Sequence, residues 1–150
     1  MMKILITGIT GFIGGELAHK LIAQYYGAYA EFRANKRMLL FAIVFSFFGF
    51  IFAAPGAVMI SGHISKARNG KISMAGPLAN LIIASIFLLL TPLASGVWLM
   101  VTQYGFLINS WLAAFNLLPF FIFDGKKIYT WNKFVWGALA LIAVVFVFFL

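Results

Sequence analysis

Few residues in this chain can do chemistry: the acids are Glu16, Glu31 and Asp124, the histidines His19 and His63, and cysteine is absent. Any metal site must therefore be built from His, Asp and Glu. Glu16 and His19 stand at i and i+3, so they share a face if that stretch is helical. Glu-x-x-His is also the latter part of His-Glu-x-x-His, in which two histidines one helical turn apart bind zinc and the Glu acts as general base. Asp124 ends the apolar run Leu117-Leu118-Pro119-Phe120-Phe121-Ile122-Phe123. A carboxylate at the bilayer centre costs about 2.5–3.5 kcal/mol on insertion scales, which makes one beside such a run a functional candidate. Ordinary polar helix ends would carry the same residues, and composition leaves both readings open.

The elements that must carry these groups are apolar. Of 150 residues 64% are hydrophobic and 9% charged, with a mean hydropathy of +1.05, against about 25% charged in soluble domains. The net charge of +8 comes from eleven Lys and Arg against three acids. Basic residues beside apolar runs attract anionic lipid and hold loops in the cytoplasm, so a lipid bilayer is the expected partner and nucleic acid is not.

Four long apolar runs stand out, Met38 to Ile60, Leu78 to Val101, Tyr104 to Phe123 and Phe134 to Leu150, with a shorter glycine-rich one from Ile4 to Ala18. The last of these is short for a bilayer crossing, which takes about 20 residues. Three basic loops separate them, holding Arg33, Lys36 and Arg37, then Lys66, Arg68 and Lys71, then Lys126, Lys127 and Lys133. All three share one face if Met38 to Ile60 is re-entrant, broken by Ala53-Ala54-Pro55-Gly56, with Ala57 to Ile60 as a short strand. The next two runs then form a hairpin through the uncharged Thr102-Gln103. The expected fold is an all-α polytopic membrane protein of four to five apolar segments, one re-entrant with a short β element. Lys20, His19 and Asp124 fall at the cytoplasmic ends of their segments, where the last two can approach one another.

Glu16-Leu17-Ala18-His19-Lys20, Gly49-Phe50-Ile51-Phe52-Ala53-Ala54-Pro55-Gly56-Ala57-Val58, Ala75-Gly76-Pro77-Leu78-Ala79-Asn80, and Asn116-Leu117-Leu118-Pro119 with Asp124-Gly125 occur in this order. From Glu16 onward the sequence resembles the site-2 protease family of membrane-embedded zinc metalloproteases, most like its archaeal members. The resemblance implies a cytosol-facing site that cleaves a transmembrane substrate protein, with zinc on two histidines and an aspartate. It makes Glu16 the general base, His19 and Asp124 zinc ligands, and Asn80 and Asn116 groups that hold substrate backbone or an oxyanion. Helix–helix hydrogen bonding is an equal alternative for the two asparagines.

The departure is at Gly15, where the family has its first histidine. Two protein ligands remain where catalytic zinc sites use three plus water, so the zinc set is incomplete and proteolysis is expected to be impaired or absent. His63 lies in a basic loop, and Ile122 replaces a second proline before Asp124. A non-catalytic membrane module that holds a substrate helix without cutting it is the alternative.

Lys3-Ile4-Leu5-Ile6-Thr7-Gly8-Ile9-Thr10-Gly11-Phe12-Ile13-Gly14 is similar to the opening strand and glycine turn of an extended short-chain dehydrogenase, with Glu31 near the ribose-contacting distance and Tyr129 and Lys133 at Tyr-x-x-x-Lys spacing. The bilayer-length runs after Met38 argue against the alternating strands and helices such a domain needs. Residues 1–15 are accordingly an atypical N-terminal segment, and residues 16–150 the membrane domain.

Overall fold

The computed structural model describes residues 2–34, 56–61, 65–120 and 123–148, with side chains from Ile13 to Tyr29 and over the last two stretches. The re-entrant path through Met38 to Pro55, His63 and Ile122 lie outside the described residues, as does the Glu31 side chain.

Among the described residues, five helices and one two-stranded sheet follow in the order α1 (Met2–Tyr25), β1 (Tyr29–Ala34), β2 (Gly56–Ser61), α2 (Lys66–Leu90), α3 (Val97–Asn116), α4 (Asp124–Trp131) and α5 (Lys133–Phe148). Helix α1 stops in a Schellman turn. Gly27, at φ 72°, lets its own N–H reach the Gln24 carbonyl at 2.9 Å and the Ala28 N–H reach that of Ala23 at 3.0 Å. The two strands pair antiparallel, Tyr29 opposite Ser61 and Ala34 opposite Gly56, and β2 contains the stretch read as a short strand.

The second basic loop is in fact the first turns of α2. Ser65 caps the helix, its Oγ accepting the Arg68 N–H at 3.3 Å, so Lys66, Arg68 and Lys71 project from a helix. Thr102-Gln103 does not turn either: both lie inside α3. The reversal comes earlier, where Pro92 enters a short 3₁₀ turn, Thr91–Leu93, and Gly96 takes φ 57°. Thr102, Asn109 and Ser110 stay helical by donating to the carbonyls of Leu99, Gly105 and Phe106, so polar residues here do not break the helix. Lys3 to Gly14 lies within α1, so it forms neither the strand nor the glycine turn of a dinucleotide site, and α1 runs unbroken across residues 15 and 16.

Helix α2 is central, packed against α1, α3 and α4. Leu81, Ala113, Leu117, Ile128, Leu139 and Ala143 form the main core, drawn from α2 through α5. Only Lys66–Leu93, which is α2 continued through the 3₁₀ turn, is long and apolar enough among the described residues to cross a membrane. This is fewer than the four to five segments expected. Helix α3 is continuous but carries Thr102, Gln103, Asn109 and Ser110 among its apolar residues, the described α5 has 16 residues, and α4 has eight. Large apolar side chains are nevertheless exposed along α2 and α5, among them Ile82, Ile86, Leu89, Leu141, Ile142 and Phe148.

Candidate functional site

Helices α1 and α2 meet antiparallel, and the contact is built on glycines facing larger side chains. Gly14 faces Ile83, Gly15 faces the Asn80 carboxamide, and Gly76 lies directly under the His19 ring. Ala23 closes the series in a buried cluster with Ile72 and Ala28. A Cβ at Gly76 would overlap His19 Nε2 and stand 2.7 Å from Cε1, so the absence of a side chain there is what seats the imidazole.

The seat also orients it. His19 Nδ1 donates to the Ile72 carbonyl at 2.8 Å, which turns Nε2 toward Asp124 Oδ2, 2.9 Å away. Asp124 is brought there by the turn after α3. It opens α4, where a carboxylate is favoured by the helix dipole, and Gly125 beside it packs on the Leu117 carbonyl with no room for a Cβ. The second carboxylate oxygen, Oδ1, accepts from Lys127 Nζ at 3.1 Å. With Nδ1 donating to a carbonyl, a proton must lie between Nε2 and the carboxylate, and a protonated His19 makes the pair an imidazolium and a carboxylate.

Both groups lie outside the membrane-length stretch Lys66–Leu93. Burial alone would push His19 below its ordinary value, but the Asp124 hydrogen bond and charge, the Ile72 carbonyl and Glu16 outweigh it and hold it above. Burial likewise pushes Asp124 up, and the His19 hydrogen bond and charge together with Lys127 bring it below its ordinary value. A lowered carboxyl stabilises the fold above the ordinary carboxylate range and loses that as pH falls through its folded value; a raised imidazole stabilises fully below its ordinary value and loses that as pH rises through its folded one. The pair therefore contributes most between about pH 4 and pH 6.5. In detergent and chelator, the gap in thermal midpoint between this chain and Asp124→Asn is expected to be widest in that window and to narrow on both sides. A gap that grows above pH 8 would contradict the assignment.

The structure thus brings His19 and Asp124 together and places Glu16 one helical turn before His19, half-buried. Asn80 is on the same contact and buried, 1% exposed. Asn116 ends α3, half-buried, next to the Leu117 turn. Sequence reasoning missed Gly76, the Ile72 carbonyl and Lys127. Gly76 and Asn80 at i and i+4 were a signal for close packing, and Lys127 three residues after Asp124 was one for an ion pair. Tyr129 and Lys133 are accounted for by a cation–π contact, with Lys133 Nζ 5.3 Å from the ring centroid.

His19 Nε2, tied from behind to a carbonyl, and Asp124 Oδ2 are what two ligands of a divalent cation look like. A third is missing. Among the described residues no group of three His, Cys, Asp or Glu can hold a metal ion, and Gly15 offers no donor, so the residues present do not fit a catalytic zinc.

A protein of Methanocaldococcus jannaschii named "Putative zinc metalloprotease" is 41% identical to this chain, over 88% of the chain and 71% of the relative. No family model matches the chain. No solved structure matches it.

Proposed function

Because the chain belongs to the zinc metalloprotease family of its Methanocaldococcus jannaschii relative, we propose that it is a membrane-embedded, site-2-type member of that family with impaired hydrolysis. It receives a transmembrane helix of a substrate protein at the Glu16, His19 and Asp124 group, on the cytoplasmic side of the bilayer. The observation that carries this reading is the His19 Nε2 to Asp124 Oδ2 contact of 2.9 Å. Two residues far apart in sequence, each assigned to the metal by family resemblance, meet with their donor atoms facing.

Support for the membrane comes from the Lys66–Leu93 stretch and from the exposed apolar side chains of α2 and α5, a surface suited to lipid. The orientation rests on the cations. Lys66, Arg68 and Lys71 occupy the start of α2, and Gly70 there packs on Trp131 of α4, whose sequence holds Lys126 and Lys127. These five basic residues thus lie on helix turns that pack together, as expected of a cytoplasmic face.

In the chemistry this chain retains, His19 is held in one orientation, Asp124 is kept ionised, and Glu16 stands on the neighbouring turn as a proton acceptor. Asn116, at the end of α3, is the residue available to bind substrate backbone. The alternative is a module that holds a substrate helix and never cuts it, which the Gly15–Asn80 packing favours by filling the place of the missing ligand.

The test is cleavage of a model transmembrane helix in liposomes by this chain and by Gly15→His, with bound zinc measured in both. The expected result is little or no cleavage by the chain and at least about 100-fold more by Gly15→His, with one zinc per chain. If Gly15→His neither binds zinc nor cleaves, the protease reading fails. If it binds a helix and zinc without cleaving, the holding module stands instead.

A further inference from the structure

The start of α5 combines charge with apolar surface in a way the His19 and Asp124 site does not use. Lys133 opens the helix, its Nζ 5.3 Å from the centroid of the Tyr129 ring, and Tyr129 meets Trp136 edge to face at 5.2 Å. Lys126 stands three residues before Tyr129 on α4 and so shares its face. Lys126, Tyr129 and Lys133 are all exposed. Asp124, the acid on α4, is taken by His19 and Lys127, and neither Lys126 nor Lys133 has a carboxylate partner among the described residues.

An apolar stripe runs along α5 from this cluster. Phe134, Ala138, Leu141, Val145 and Phe148 fall at i, i+4, i+7, i+11 and i+14, which is one face of a helix. All five are exposed, Phe134 at 90% and Phe148 at 70%. At about 1.5 Å per residue the stripe is about 21 Å long, more than half of the roughly 30 Å of hydrocarbon in a bilayer. No charged residue follows Lys133 within the helix.

We propose that this face binds one anionic phospholipid, with its phosphate on Lys126, Lys133 and the Tyr129 hydroxyl and an acyl chain along α5 from Phe134 to Phe148. Charge complementarity selects the headgroup: two ammonium groups stand on one exposed face with no acid opposing them, and anionic lipid is drawn to such clusters at the cytoplasmic surface. The stripe selects a lipid over a soluble anion, because free phosphate would use the cations and leave the apolar side chains uncovered. Tyr129 and Trp136, rings with one polar edge, suit the level of the headgroups between them. The inference rests on the membrane reading proposed above, and it needs neither zinc nor hydrolysis.

The test reconstitutes the full chain into vesicles of phosphatidylcholine and phosphatidylglycerol, re-extracts it into detergent and counts the retained lipid by native mass spectrometry. One phosphatidylglycerol per chain is expected, favoured over phosphatidylcholine by at least about tenfold. Lys126→Gln combined with Lys133→Gln is expected to cut that retention at least about fivefold. Phe134→Ala should cut it too with every charge in place, which a purely electrostatic surface would not show. These side chains are exposed, so the variants are expected to fold. Lys66→Gln, which removes a charge from α2 instead, should leave retention within about twofold of the parent. Equal retention of the two lipids, or as large a loss in Lys66→Gln as in the double variant, overturns the site and leaves the membrane reading standing. Complete displacement of the lipid by inorganic phosphate would assign the cations to a soluble anion and overturn it as well. If alkaline carbonate strips the chain from the vesicles, the membrane reading falls and takes this proposal with it.

Discussion

Gly76→Ala is expected to separate His19 from Asp124 while leaving both helices formed. Within α2 the substitution favours the helix by about 1 kcal/mol. Against this, the new methyl would overlap His19 Nε2 and lie 2.7 Å from Cε1 and 2.9 Å from Cδ2. The ring cannot slide aside without giving up the Ile72 carbonyl or the Asp124 carboxylate, because its two nitrogens hold one each. Breaking a buried pair costs about 3–5 kcal/mol, which exceeds the helix gain. The expected net loss is on the order of 2–4 kcal/mol, together with loss of any metal binding at His19. Gly137→Ala in α5 is the control, since a Cβ there meets nothing within 4 Å, and it should be neutral or slightly stabilising. Thermal unfolding of the three proteins in detergent checks this. Equal midpoints for Gly76→Ala and Gly137→Ala would mean that His19 is not seated on α2.

Gly125→Ala is expected to be comparably damaging, because its neighbours are backbone. A Cβ there would overlap the Leu117 carbonyl and stand 2.6 Å from the Leu118 oxygen. The Leu117 carbonyl also accepts the Trp136 Nε1–H at 2.8 Å, so the turn is pinned from α5 and cannot retreat. Overpacking typically costs about 1–3 kcal/mol, and a clash with fixed main chain belongs at the upper end. At about 2–4 °C per kcal/mol for a chain of this size, the thermal midpoint should fall by roughly 6–12 °C. Asp124 is the adjacent residue, so its contact with His19 should be lost with it. A midpoint within about 2 °C of the parent would show that α4 is not packed on this turn.

Much of the site was legible in the sequence, and the reason is local. Glu16 and His19 lie on one helix, where residues three apart share a face, and the apolar run of the one helix long enough to cross a membrane among the described residues is likewise a property of neighbouring residues. The meeting of His19 and Asp124 was reachable because both fall beside lysines at the ends of apolar runs. The hairpin was misplaced for an equally physical reason. An uncharged polar pair, Thr102-Gln103, was read as a break, whereas side-chain hydrogen bonds to the helix's own carbonyls let polar residues stay inside α3. Pro92 and Gly96 carried the true signal. Lys66, Arg68 and Lys71 were read as a loop from their charge, although Ser65 three residues before Arg68 is a helix cap.

What the sequence by itself determined is the kind of molecule and its inventory: an apolar chain with one Glu-x-x-His turn, a carboxylate at Asp124, and glycine at position 15. What only the tertiary structure decided is how those groups are seated: which nitrogen of His19 faces Asp124, that Gly76 makes the seat, and that Asn80 fills the gap opposite Gly15. Helix periodicity, caps and hydropathy are written in adjacent residues. The closeness of two helices depends on a side chain missing from one exactly where a large one projects from the other, and that match exists only once the helices have packed.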